Sequence, residues 1–143
     1  MPSKGFLRTL IVAEVGLGLL SVVVSSLTET LLPEPLRAFL KAESEAEMTA
    51  RTMIMGALTI ALLVLWLLSS VGLFFFWRPA RMLYLVVTVV GLLVAPFFGP
   101  YVDAGWGTAF DEASLIGSGV ILALIYFSPL KNLYEKPAAL GQR

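Results

Sequence analysis

"TMIMGALTIALLVLWLLSSVGLFFFW", residues 52–77, runs for 26 positions without a charged side chain. As a helix rising 1.5 Å per residue it would reach roughly 39 Å, more than the ~30 Å hydrocarbon core of a bilayer. Such a stretch reads as a transmembrane helix, long enough to tilt or to extend beyond the hydrocarbon. Its surroundings agree. Of the 143 residues, 58% are hydrophobic and 14% charged, with mean hydropathy +0.88. A soluble domain is about 45–50% apolar and about 25% charged, so one soluble core could not hide this much apolar surface.

Three further apolar stretches have spanning length, at residues 6–27, 80–98 and 108–127. The expected fold is an all-α integral membrane bundle of four transmembrane helices, forming a single membrane domain over 1–143. An amphipathic outer segment, 28–51, joins the first two spans, and 128–143 form a tail. Lys4 and Arg8 before the first span also fit a signal peptide. That run is longer than a usual signal core and carries Glu14, so a retained span is expected.

Basic residues set the orientation. Lys4, Arg8, Arg78, Arg81, Lys131, Lys136 and Arg143 fall on one side with only Glu135, giving +6. Arg37, Lys41 and Arg51 fall on the other with eight acidic residues, giving −5. Both termini are therefore expected in the cytoplasm. Arg78, Arg81 and Lys131 are expected to anchor at cytoplasmic lipid headgroups, with Trp77 and Tyr84 in the interfacial aromatic belt.

The connections carry helix signals. Pro33 and Pro35 mark a helix start, followed by an apolar stripe of Leu36, Phe39 and Leu40. No Gly or Pro interrupts 42–51, so the second span is expected to begin outside the membrane, either continuously or after a bend. Lys41 with Glu45 and Glu47 with Arg51 are spaced as i,i+4 pairs. Glu43 and Glu47 share a face, which reads as solvated rather than as a cation cage. Pro79 is expected to end the second helix or start the third, and Pro96 and Pro100 to end the third. Asp111 and Glu112 suit the N-terminal dipole of the fourth helix. "SPLKNLYEKP", 128–137, reads as a short surface helix with Leu130, Leu133 and Tyr134 pointing inward.

Small residues mark close packing between helices in lipid. Gly91, Ala95 and Gly99 repeat every four residues in the third span, as do Ala109, Ala113 and Gly117 in the fourth. Gly16 and Gly56 would admit neighbours in the first two.

Glu14 is the one carboxylate inside a span. It lies roughly 12 Å from the start of its helix. Counting the same depth along the other spans lands on Ser69 or Ser70, Thr88 and Ser118, a candidate polar intramembrane cluster. With no cation at that level, Glu14 is expected to donate a hydrogen bond, as the acid, to a hydroxyl or backbone carbonyl. An intramembrane ionisable group is a functional candidate by default; a structural bond between helices is the simpler alternative.

Ala13-Glu14-Val15-Gly16 resembles the first helix of small multidrug resistance transporters, four-helix dimers that exchange protons for cationic drugs. That resemblance implies Glu14 as a coupling site; the long segment after the first span departs from the compact family. "LFFFWRPARMLYL" and "LIYFSPLKNLYEK", with the long first outer connection, resemble small four-helix inner-membrane proteins of Gram-negative bacteria. This second resemblance implies a layout and a bacterial inner-membrane location, and no activity.

The chain has no cysteine and no histidine, which removes thiol chemistry, the usual general base and the commonest metal ligand. No catalytic residues, metal site or cofactor are expected, and the scattered basic residues do not form a nucleic-acid surface. The expected partners are the bilayer and, through helix faces, a second copy or another membrane protein. The expected role is therefore a non-catalytic scaffold or accessory subunit. Proton-coupled transport through Glu14 is the alternative, and lipid or quinone binding a third.

Overall fold

The computed structural model describes residues 3–28, 30, 32–45, 49–98 and 105–134. They form α1 (Lys4–Thr28), α2 (Glu34–Glu45), α3 (Ala50–Phe74), α4 (Arg78–Val94), a 3-10 turn (Ala95–Phe98), α5 (Gly105–Phe127) and a closing 3-10 helix (Pro129–Tyr134). α1, α3, α4 with its following turn, and α5 are long and apolar enough to cross a membrane, which marks the chain as a membrane protein. Large apolar side chains such as Val12, Ile54, Leu93 and Ile116 are exposed along all four, as acyl chains require.

The helix ends follow local chemistry. Thr49 is extended, and its hydroxyl accepts the amide of Thr52, capping α3. The amphipathic α2 is thus a separate helix and does not run continuously into α3. Leu36, Phe39 and Leu40 lie on α2. Glu47, the side chains of Glu43, Glu45 and Arg51, and the two i,i+4 pairs that depend on them lie outside the described residues.

At its other end α3 stops at Phe74, three residues before the expected Trp77. Phe76 adopts the left-handed conformation, φ 57°. Its amide donates to Leu73 O at 3.0 Å, while that of Trp77 donates to Gly72 O at 2.8 Å. These paired bonds form a Schellman motif, which usually takes glycine at the left-handed position. Trp77 then caps α4, and Pro79 lies in its first turn, where a missing N–H costs nothing. A Cβ on Gly72 would lie 2.6 Å from the Ala80 Cβ, so glycine is what lets the hairpin close.

α5 begins at Gly105, earlier than expected. Asp111 and Glu112 therefore lie beyond its first turn and do not act as N-terminal charges. Pro96 sits in the 3-10 turn after α4; Pro100 and Gly99 lie outside the described residues.

α1 packs mainly on α5, and α3 on α4; the two pairs meet much less extensively. They join at the end that holds the start of α1, the α3–α4 turn and the end of α5, called here the terminal end. Leu7, Ile11, Leu73, Ala80, Tyr84, Ile121 and Ile125 form the core there, sealed by Leu130 and Tyr134 of the closing 3-10 helix. Tyr134 donates its hydroxyl to Leu73 O at 2.9 Å, so the segment turns Leu130 and Tyr134 inward as expected and closes the end of the bundle, with Lys131 and Asn132 exposed on its outer side. Arg8 adds a cross-link: its guanidinium sits 4.9 Å from the Phe74 ring centre and 5.1 Å from that of Phe76, and Nε donates to Phe74 O.

Candidate functional site

Above this core the bundle turns polar. Glu14 on α1 is 1% exposed. Its Oε1 accepts from Trp66 Nε1 on α3 at 3.0 Å, Tyr84 OH on α4 at 3.0 Å and Ser118 Oγ on α5 at 2.8 Å. One carboxyl oxygen therefore touches all three other spans. The backbone carbonyl of Glu14 also accepts from Ser114 Oγ at 3.1 Å. Room for this comes from Gly117, where a Cβ would lie 3.3 Å from both Cβ and Cγ of Glu14.

At Oε1 Glu14 is an acceptor, and the expected donation to a hydroxyl or backbone carbonyl is not among its hydrogen bonds to the described residues. An indole N–H can only donate, and the two hydroxyls complete a three-donor cradle around Oε1. Oε2 is buried and makes no hydrogen bond among the described residues.

Of the candidate cluster, Ser118 bonds the carboxyl directly. Ser69 and Ser70 are buried at the same level, and both donate to the carbonyl of Trp66. Thr88 donates to the carbonyl of Tyr84. The hydroxyls found by depth on α3 and α4 thus bond the backbone of the residues that reach Glu14. Trp66 and Tyr84 are the partners the depth count missed. Tyr84, assigned to the aromatic belt from its nearness to Arg81, is instead fully buried. Helical spacing held a signal for both: Trp66 precedes Ser70, and Tyr84 precedes Thr88, by four residues on one face.

The small-residue repeats divide. Gly117 packs on Glu14, whereas Cβ atoms at Gly16, Gly56 and Gly91 would meet nothing within 4 Å. Ala109 is exposed, Ala113 half-buried, and Ala95 exposed in the 3-10 turn. Gly18, not singled out by the repeat, is where close approach occurs; a Cβ there would lie 3.0 Å from the Trp66 ring and 3.1 Å from Ser114 Oγ. At the terminal end Arg78 and Lys131 are exposed, while Arg81 is half-buried with its guanidinium 4.8 Å from the Tyr126 ring centre.

Gly91 and Ala95 line a cavity of about 450 Å³ between the helix pairs, on the side of Glu14 away from the terminal end. Gly18 and Val22, Leu62 and Leu63, Val87 and Leu92, and Leu115 supply apolar walls from all four spans. Trp66 and Ser118, two of the donors to Glu14, are also part of its lining, and Asp111 lies farther along toward the α5 start. A second groove of about 430 Å³ runs between α1 and α3 past Gly16 and is almost wholly apolar. Among the described residues no group of three or more Asp or Glu side chains could hold a metal ion. No protein-family model, curated protein or solved structure matches the chain.

Proposed function

We propose that this chain is a non-catalytic membrane protein that holds a small amphiphilic molecule in the cavity between its two helix pairs, with Glu14 as the lock that fixes the pairs beside it. The basic terminal end faces the cytoplasm, so the cavity lies in the outer half of a bacterial inner membrane.

One observation carries this reading. The cavity combines walls from four spans with a few convergent polar groups, at a volume typical of small-molecule sites. Of the small residues, Gly117 and Gly18 are used inside the bundle and Gly91 and Ala95 border the cavity, while Gly16, Gly56 and Ala109 stay open on helix faces where a scaffold role would act. A photoreactive alkyl probe in reconstituted membranes tests the proposal. Labelling concentrated on Leu62, Leu92 and Leu115 supports it; labelling spread evenly over these and Ile54, Leu93 and Ile116 on the outer faces contradicts it.

A second reading, proton-coupled transport through Glu14, is favoured by the unpartnered Oε2. Proton-driven uptake into liposomes by wild type but not by Glu14→Gln would support it. Equal uptake by both would remove Glu14 from the mechanism.

A further inference from the structure

The cavity's polar atoms have a common sense. Thr59 Oγ1 donates to Met55 O, Thr88 Oγ1 to Tyr84 O, Ser114 Oγ to Glu14 O and Ser118 Oγ to Glu14 Oε1. The Trp66 N–H is likewise spent on Glu14. A hydroxyl has one proton, so each of these four has only lone pairs left for a guest. Among the described residues, the sixth polar residue of the lining, Asp111, is an exposed carboxylate that also accepts, and no Lys or Arg lines the cavity.

We infer that the cavity selects an amphiphile whose head brings N–H donors and a positive charge, a primary or secondary alkylammonium. This rests on the proposed ligand-binding role and narrows it. A quinone offers acceptors alone, and its carbonyls would face lone pairs. A trimethylammonium head carries the charge without a donor. A primary ammonium can donate three times, matching hydroxyl oxygens and the Asp111 carboxylate while its chain lies along Val22, Leu63 and Leu92.

The test uses the full chain with Trp77→Phe and Trp106→Phe, so that Trp66 fluorescence reports on the cavity. In nanodiscs of phosphatidylcholine, whose head has no N–H, it is titrated with decylamine, decyltrimethylammonium and a decyl-quinone. Decylamine is expected to bind at least about tenfold more tightly than the other two, the scale of one charge-assisted hydrogen bond. Asp111→Asn, which places an amide with donors in the lining, is expected to shrink that preference. In discs containing phosphatidylethanolamine, weakened decylamine binding assigns the amine head to a lipid, and unchanged binding assigns it to a free amine; both support the donor rule. Equal affinities, or tighter quinone binding, overturn the donor rule and leave the binding role standing. No response to any of the three overturns both.

Discussion

The indole N–H of Trp66 donates to Oε1 of Glu14 at 3.0 Å, joining the α1–α5 pair to the α3–α4 pair just above the buried core. Tyr84 makes the same kind of link from α4, while the Ser118 and Ser114 contacts tie α1 to α5. The Glu14 carboxyl therefore works as a rivet between pairs that otherwise touch sparingly, and the cavity opens beyond it.

Trp66→Phe keeps a ring in place and removes the N–H. It is expected to cost about 0.5–2 kcal/mol, the range for hydrogen bonds between membrane helices. Glu14→Ala orphans three donors at once, two of them buried and the third, Trp66, half-buried, and should cost more, about 3 kcal/mol or above. Unfolding in mild detergent measures both. Because the donors share one oxygen, Trp66→Phe and Ser118→Ala should be non-additive in a double-mutant cycle.

Glycine substitutions should separate by position. Gly72→Ala drives a methyl to 2.6 Å from Ala80 and should destabilise by about 1–3 kcal/mol, while Gly117→Ala meets the hydrogen-bonded Glu14 at 3.3 Å and should cost less, about 1 kcal/mol. Gly16→Ala and Gly56→Ala meet open space and should be neutral or gain up to about 1 kcal/mol from helix propensity. Melting temperatures of the four variants in one detergent give the comparison.

Phe76 carries a left-handed backbone because its ring serves elsewhere, 5.7 Å from the Tyr134 ring centre and beside Arg8. Phe76→Gly and Phe76→Ala both lose the ring, but only glycine relieves the backbone. The glycine variant should be the more stable of the two by about 1–2 kcal/mol. Denaturation midpoints decide the order.

Burial pushes the Tyr134 phenol up to about 12, against a smaller opposing pull from Arg81. The unfolded chain ionises first, near its ordinary value of about 10. The stabilising contribution is complete below about pH 10 and is lost as pH rises toward about 12, because the unfolded state has released its proton and the folded state has not. An alkaline titration followed by phenolate absorbance and thermal melting should show this step, and Tyr134→Phe should shrink it without abolishing it, because the buried Tyr84 is a second phenol that only the unfolded chain exposes.

The spans were legible because a bilayer demands long apolar runs, and residues 52–77 have no other reading. Finer boundaries depended on hydrogen bonds that composition does not encode. The Thr49 cap separates α2 from α3, and the Schellman turn ends α3 at Phe74 within a run of three phenylalanines. The depth count found the level of Glu14 but not its partners, because it ranked hydroxyls and left aromatics to the interface. Tyr84 and Trp66 are long enough to reach the carboxyl from neighbouring turns, while Ser69, Ser70 and Thr88 bond their own helices. Small-residue spacing could not separate Gly117, pressed on Glu14, from Gly91, open to the cavity, because helix rotation is fixed only by packing.

The most direct test of the account is native mass spectrometry of the protein released from membranes, as wild type, Gly91→Phe and Gly16→Phe. Gly91 lines the four-helix cavity, and Gly16 the apolar groove between α1 and α3. Wild type and Gly16→Phe should retain a small amphiphile that Gly91→Phe has lost. Equal retention by Gly91→Phe and wild type would contradict the account.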